Sequence, residues 1–297
     1  MIKNLSNRKK INGLIAIIII IIGVYSSYTA YAAKLDKLAP TGNTSKSSKK
    51  LNISTLKDVQ ASVPEIKNNQ TRIVGYYASW ATYSGFTPDK IDANKLTHLN
   101  YAFANISNDF KIAIGDPNVD LTNFKKLNTL KQTNTNLKTL ISVGGWTWSD
   151  KFSDVALTES SRDVFADSCV DFIVKYGFDG VDVDWEYPVS GGLPSNVKRP
   201  VDKQNFTLLL KTLREKLDAQ GKIDGKKYLL TIAGATGDVY INNTELDILH
   251  QYLGFGNIMT YDIHGDWDNY TDFNAPLYNN ADSTQQYKWS IDSAINA

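Results

Sequence analysis

DGVDVDWE, at residues 179–186, decides how this chain folds, because it places four carboxylates inside a segment that otherwise has the composition of a buried β-strand. Side chains alternate between the two faces of a strand, so Asp182, Asp184 and Glu186 share one face. The opposite face carries valine and tryptophan. The segment therefore predicts a strand with one acidic face and one apolar face.

The acidic face is crowded. Like charges about 6.6 Å apart on a partly buried face repel, so at least one carboxyl should keep its proton near neutral pH and could act as a general acid. One alternative is a solvated acidic surface, but such surfaces do not alternate with valine and tryptophan. The other is an EF-hand calcium loop, which requires glycine at the sixth position, where this segment has Asp184.

On both sides of this strand, short apolar segments alternate with helical ones. The apolar runs and their boundaries predict six strands, at residues 72–80, 96–106, 138–146, 178–187, 228–235 and 257–262. Helices are predicted between them at residues 124–133, 160–176, 203–220 and 244–253. Such alternation predicts a parallel sheet covered by helices.

Two α/β architectures fit this alternation. A doubly wound nucleotide-binding sheet requires G-x-G-x-x-G after an early strand, whereas the glycine pair at residues 144–145 is followed by Trp146. A (β/α)8 barrel instead places its chemistry at the carboxyl ends of several strands. Polar and aromatic residues do fall at those ends: Trp80, Trp146, Glu186, Tyr261 and Asp262. We therefore predict a TIM (β/α)8-type barrel.

The predicted barrel has only about six of its eight strands in this chain. Residues 263–297 contain a loop and one helical run, at residues 283–295, with nothing suited to strands seven and eight. We therefore expect a catalytic domain at residues 72–297 that is incomplete at the C-terminus, with open sheet edges.

The N-terminal region predicts export. Four basic residues within residues 1–10 precede an apolar run at residues 13–25 and the small-residue site Ala30-Tyr31-Ala32, so residues 1–32 are predicted to be a signal peptide, with a membrane anchor as the alternative. Residues 33–71 are predicted to be a polar, basic linker that could attach to an anionic cell wall. We expect the protein to be secreted or extracellular.

Charge limits the possible partners. Residues 73–297 carry 20 basic and 28 acidic residues, a net charge of −8, which argues against nucleic acid and favours a neutral or cationic substrate. The single cysteine, Cys169, excludes an internal disulfide framework and is predicted to be a core residue. The spacing of the three histidines resembles no set of metal ligands, so neither a metal nor a cofactor is expected. We expect a monomer.

Three motifs together resemble the family 18 glycoside hydrolases, which include the bacterial chitinases. DGVDVDWE matches the family's D-x-x-D-x-D-x-E pattern, SVGG at residues 142–145 matches its third-strand motif, and MTYD at residues 259–262 matches its sixth-strand motif. The resemblance covers about residues 72–297. It implies the same barrel fold and an enzyme that cleaves bonds between N-acetylated sugars.

The resemblance implies a role for each acidic residue. Glu186 would be the general acid, Asp184 would orient the substrate's acetamido group, and Asp182 would be coupled to Asp184 deeper in the barrel. Asp179 would be structural. The substrate's own N-acetyl carbonyl would act as the nucleophile, and the product would retain its anomeric configuration. Tyr261 would donate a hydrogen bond to the acetamido oxygen.

The same resemblance implies a cleft that binds chitin or N-acetylglucosamine oligosaccharides. Its predicted substrate-binding residues are Tyr76, Phe103, Trp146, Met259, Asp262 and Trp267. Packing inside the barrel is an equal alternative for each of the aromatic residues. Peptidoglycan or N-glycan cores are alternative substrates, since they share the acetamido group. A sugar-binding protein without turnover and an inactive, truncated remnant are the alternatives to an enzyme.

Overall fold

The computed structural model describes residues 71–279 and 290–297. It contains one open sheet whose strands follow the order β1-β2-β4-β5-β6-β7, with every neighbouring pair parallel. These strands are β1 (Val74–Ala78), β2 (His98–Ile106), β4 (Lys138–Gly144), β5 (Gly180–Asp184), β6 (Leu229–Gly234) and β7 (Phe255–Ile258). The short β3 (Ile112–Ala113) pairs antiparallel with the end of β2.

Helices connect the strands. They are α1 (Asp120–Thr133), α2 (Gly145–Trp148), α3 (Phe152–Leu157), α4 (Glu159–Tyr176), α5 (Asp202–Asp224), α6 (Asp238–Asn242), α7 (Leu246–Leu249) and α8 (Ile291–Ile295). Short 3-10 helices lie at Ser79–Ser84, Pro88–Lys90, Ala93–Lys95 and His250–Tyr252. The prediction of a (β/α)8-type barrel with about six strands is confirmed, since the described strands form a partial barrel that remains open.

Several predicted boundaries are wrong. The strand predicted at residues 257–262 lies at Phe255–Ile258 instead, because a turn from the Thr260 amide to the Ile258 carbonyl (2.9 Å) takes the chain out of the sheet. The helix predicted at residues 244–253 is one α-helical turn followed by a 3-10 turn. Of the helix predicted at residues 283–295, the structure describes residues 290–297 and shows α8 there.

The start of β5 is fixed by the residues before it. Helix α4 begins at a capping box between Thr158 and Ser161 and ends at Gly177, whose φ of 76° lies in the left-handed region that glycine tolerates. Asp179 then accepts hydrogen bonds from the Thr139 amide (2.8 Å) and the Lys131 ammonium (2.6 Å). The structural role predicted for Asp179 agrees with these contacts, which align β5 against β4.

The main core lies between the sheet and helices α3, α4 and α5. Trp185 stacks on Phe152 of α3 at 5.4 Å between ring centroids and contacts the Phe206 ring of α5 edge-on at 5.5 Å. The predicted core position of Trp185 is confirmed, since only 2% of its surface is exposed. Cys169 is also fully buried, as predicted. The apolar side of the acidic strand is therefore anchored to the helical layer.

Truncation of Leu210 should test this core. Its side chain is fully buried on α5, so Leu210→Ala should lower the free energy of unfolding by about 3 kcal/mol, through lost burial and a residual cavity. Urea denaturation would measure the change. The matched control is Leu121→Ala on α1, where 45% of the side chain is exposed and we expect less than about 0.5 kcal/mol. Equal effects at both positions would contradict the assignment of the core.

The predictions for the N-terminal region remain predictions. The signal peptide at residues 1–32 lies outside the described residues, as does the linker at residues 33–71 except for its last residue. Among the helices at residues 71–279 and 290–297, none has the length and apolar character needed to span a bilayer.

Candidate active site

Polar side chains from four other strands surround Asp182 on the inner face of the sheet. Its Oδ2 atom accepts hydrogen bonds from the Tyr76 hydroxyl (2.8 Å) and the Ser142 hydroxyl (2.8 Å). Its Oδ1 atom accepts one from the Thr231 hydroxyl (2.5 Å), with Asn257 Nδ2 at 3.5 Å. The parallel register aligns these residues, since Ser142 pairs with Asp182 and Asp182 with Thr231.

Burial and these hydrogen bonds act in opposite directions on the pKa of Asp182. Burial raises the pKa of the Asp182 carboxyl, and hydrogen bonds from its hydroxyl neighbours oppose the rise by stabilising the charged form. Within the described residues, every side chain that donates a hydrogen bond to this carboxylate is neutral. Asp182 is thus a buried acid whose charge is held by dipoles rather than by a cation.

Asp184 lies at the carboxyl end of β5, two residues after Asp182 and on the same face of the strand. Only 4% of its surface is exposed, and its Oδ1 atom is buried without a hydrogen-bond partner within the described residues. Burial, together with repulsion from Glu186 and Asp182, raises the pKa of Asp184 well above its usual value. A carboxyl group in this position favours either a proton or a donor from a bound ligand.

Glu186 follows Asp184 at the mouth of the barrel. Its amide donates to the Ser149 hydroxyl (2.9 Å), and its carbonyl accepts from Asn196 Nδ2 (2.9 Å), so both sides of its backbone are fixed. Burial raises the pKa of Glu186, and the negative charge of Asp262 raises it further, while a hydrogen bond with Tyr187 acts in the opposite direction. The carboxyl pair of Asp184 and Glu186 therefore holds a proton to higher pH than free carboxyls do.

The segment after β7 supplies further predicted residues. Burial and the charges of Asp184 and Glu186 raise the pKa of Tyr261, so its hydroxyl remains a donor near the two carboxyls. Asp262 is exposed and has a φ of 51°, and its Oδ1 accepts from Asn274 Nδ2 at 2.9 Å. Met259 is half-buried, and its amide donates to the Gly234 carbonyl at 2.8 Å.

Exposed aromatic side chains follow the carboxyl ends of β1, β4 and β7. Trp80 is 58% exposed and stacks against Phe103 at 6.3 Å, and Trp146 is 50% exposed and contacts the Tyr187 ring edge-on at 6.4 Å. Trp267, in the loop after β7, is 61% exposed. These flat, accessible rings are suited to the C–H faces of sugars.

Tyr76 has a different position from the exposed tryptophans. Its ring belongs to the inner face of β1, and its hydroxyl donates to Asp182 and accepts from Asn257 Nδ2 at 3.0 Å. Burial, together with the charges of Asp182 and Asp184, raises the pKa of Tyr76 well above its usual value. Tyr76 is therefore a direct hydrogen-bond partner of Asp182.

Several residues at the site escaped the sequence analysis. Thr231 and Asn257 occupy inward positions on predicted strands, so strand alternation could have located them once the register was known. Ser149 and Asn196 come from connecting segments, where no periodicity marks a side chain that contacts Glu186. Within the described part of the chain, no group of three or more His, Cys, Asp or Glu side chains is arranged to hold a metal ion.

A partial parallel barrel with two buried carboxyls at the carboxyl end of β5, and exposed aromatic rings after other strands, is an arrangement that glycoside hydrolases use. Residues 72–297 match the family model described as Glycosyl hydrolases family 18. The chain belongs to that family.

Named relatives agree with this assignment. The chain is 49% identical over 251 residues to Chitinase A1 of Niallia circulans, covering 69% of this chain and 36% of that protein. It is 35% identical over 232 residues to Chitotriosidase-1 of Mus musculus, covering 75% of this chain and 48% of that protein. Among solved structures, Chitinase ChiA74 from Bacillus thuringiensis matches with a TM-score of 0.72 and 41% identity, covering 75% of this chain and 45% of that chain. The chain thus spans less than half the length of each.

Proposed function

We propose that this chain carries the acid-catalytic site of an exported hydrolase that cleaves β-1,4 linkages between N-acetylglucosamine units in chitin. The observation that carries the proposal is the pair of buried carboxyls, Asp184 and Glu186, whose burial and mutual repulsion retain a proton. The names of the relatives, Chitinase A1 and Chitotriosidase-1, support chitin as the substrate class.

The first step transfers the Glu186 proton to the glycosidic oxygen. As the bond between C1 and that oxygen breaks, the acetamido oxygen of the same sugar attacks C1 and forms a cyclic oxazolinium ion. The unpartnered Oδ1 of Asp184 is suited to accept the acetamido N–H, and its negative charge stabilises the cation. The leaving sugar departs with the proton as a hydroxyl group.

In the second step Glu186 acts as a general base. The Glu186 carboxylate removes a proton from a water molecule, whose oxygen attacks C1 from the face that the leaving sugar occupied, while the acetamido oxygen is released. Two inversions at C1 leave the β-configuration unchanged. Tyr261 donates to the acetamido oxygen, and the hydrogen bonds that fix Asp182 keep a second negative charge beneath Asp184.

The exposed rings of Trp80, Trp146 and Trp267 favour a neutral sugar polymer over a charged one. The net charge of −8 on residues 73–297 is also compatible with uncharged chitin. We further propose secretion directed by residues 1–32 and action as a monomer.

The test is release of 4-methylumbelliferone from its chitobioside and chitotrioside by the full chain, followed by proton NMR of the first sugar product. We expect turnover with initial release of the β-anomer, and no turnover of the matching substrate whose acetamido group is replaced by an amine. Hydrolysis of peptidoglycan without turnover of chitooligosaccharides would reject chitin as the substrate. Initial release of the α-anomer would reject the mechanism.

A further inference from the structure

Asp262 is held by a single side chain from the other end of its loop. Asn274 Nδ2 donates to Asp262 Oδ1 (2.9 Å), and the Asp262 amide donates to Asn274 Oδ1 at 3.3 Å. The Ile263 amide also donates to the Asn274 carbonyl at 2.9 Å. Within residues 71–279 and 290–297, no other side chain donates a hydrogen bond to this carboxylate.

The backbone conformation of Asp262 depends on these hydrogen bonds with Asn274. Its φ of 51° lies in the left-handed region, which costs free energy for a residue other than glycine unless surrounding contacts compensate. The Asp262 side chain is exposed, so packing does not fix its rotamer. The carboxamide of Asn274 bonds both the amide and the carboxylate of Asp262, and so fixes its backbone and side chain together.

Asn274 is in turn held by the loop. Its Nδ2 also donates to the His264 carbonyl (3.2 Å). The buried His264 ring places Nδ1 3.1 Å from an Asp268 carboxylate oxygen and Nε2 3.7 Å from an Asp272 carboxylate oxygen, and it contacts the Tyr270 ring. These cross-links connect both halves of the loop, so the Asn274 carboxamide is positioned before any ligand arrives.

The position of Asp262 matters for the acid. Its negative charge raises the pKa of Glu186, in the same direction as burial does. A carboxylate that left its place would lose this influence, since the interaction between two charges falls with their separation.

We propose that Asn274 is a positioning residue for the hydrolytic reaction. Its carboxamide holds the Asp262 carboxylate in place, so the negative charge that acts on Glu186 depends on a side chain twelve residues further along the chain. The inference rests on the proposed function, because it assigns Glu186 the role of acid. It extends that function by adding a residue that does not contact the sugar.

The test compares Asn274→Ala with the wild type in two readouts. The first is the carbon-13 NMR titration of the Glu186 carboxyl, which requires no turnover and is tractable because the chain has five glutamates. We expect its midpoint to fall. The second is the pH profile of kcat on the chitobioside, where we expect the alkaline limb to move to lower pH and kcat at neutral pH to fall about 10-fold, with KM changed less than about twofold.

Two further variants make the result specific. Asn274→Leu keeps the side-chain volume while removing both hydrogen-bonding groups. It should therefore lower the Glu186 midpoint as Asn274→Ala does, and it takes the place of the alanine variant if that variant folds poorly. Asn269→Ala is the matched control, because Asn269 is an exposed asparagine of the same loop, and it should leave both readouts unchanged.

A double-mutant cycle decides whether Asn274 acts through Asp262. In an Asp262→Asn background, Asn274→Ala should change the Glu186 titration little, because the charge it positions is gone. An unchanged Glu186 midpoint in both Asn274 variants would overturn the proposal, as would an equal shift with and without the Asp262 carboxylate. A wild-type chain without turnover would instead reject the proposed function and leave the titration as the test of Asn274.

Discussion

Glu186→Gln should lower kcat on 4-methylumbelliferyl chitobioside by about 10³-fold, because the amide cannot transfer a proton to the glycosidic oxygen. The substitution keeps the size of the side chain, and the Glu186 backbone contacts to Ser149 and Asn196 do not depend on the carboxyl group. KM should therefore change by less than about threefold, since the loss affects the transition state rather than binding. Steady-state kinetics over a range of substrate concentrations would separate the two.

The matched control is Glu215→Gln on α5. Glu215 is exposed, and its ion-pair partner among the described residues is Lys211, one helical turn away at 2.6 Å, so its amide variant should keep kcat within about twofold. Activity of the Glu186 variant within tenfold of the wild type would remove Glu186 from the role of acid. The barrel assignment would stand in that case, because it rests on the sheet order.

The central strand was predictable because one local rule determines it. Period-two alternation placed Trp185 in the core and Asp182 and Asp184 on the inner face, and the structure has them there. At the other end of the sheet the same reasoning extended the last strand to Asp262. The error arose because a backbone turn after Ile258, and the positive φ of Asp262, leave no signal in hydrophobic periodicity.

The site was predictable to a similar extent. The carboxyls of Asp184 and Glu186 follow from spacing along one strand, which a sequence displays directly. The donors to Asp182 follow from the register between strands, which arises from contacts between residues far apart in the chain; Thr231 lies 49 positions from Asp182. Asn274 reaches Asp262 through a loop whose shape depends on the His264 contacts, and no short-range pattern encodes that pairing.

The second large effect is expected at Asp184. Asp184→Asn should lower kcat by about 10²-fold to 10³-fold, because a neutral amide cannot stabilise the positive charge of the cyclic intermediate. The same substitution should raise the free energy of unfolding near neutral pH. Burial and repulsion by Glu186 and Asp182 raise the pKa of Asp184, so the folded protein favours the neutral form of this side chain.

The sign of the pH dependence follows from that raised pKa. A carboxyl whose folded pKa exceeds its unfolded pKa contributes full stability below the unfolded value and loses that contribution as pH rises through the folded value. Asparagine stays neutral throughout. The stability advantage of Asp184→Asn over the wild type should therefore be small near pH 4 and grow as the pH rises towards 7.

Urea denaturation at both pH values would measure the difference, with Asp179→Asn as the control. Asp179 accepts a hydrogen bond from the Thr139 amide and pairs with Lys131, so losing its charge should lower stability by about 1 kcal/mol and leave kcat unchanged. Opposite changes in stability at two carboxyls only five positions apart would show that Asp184 is kept at a cost in stability because the reaction needs its charge. An Asp184→Asn variant that is less stable than the wild type at pH 7 would assign this carboxyl a structural role instead.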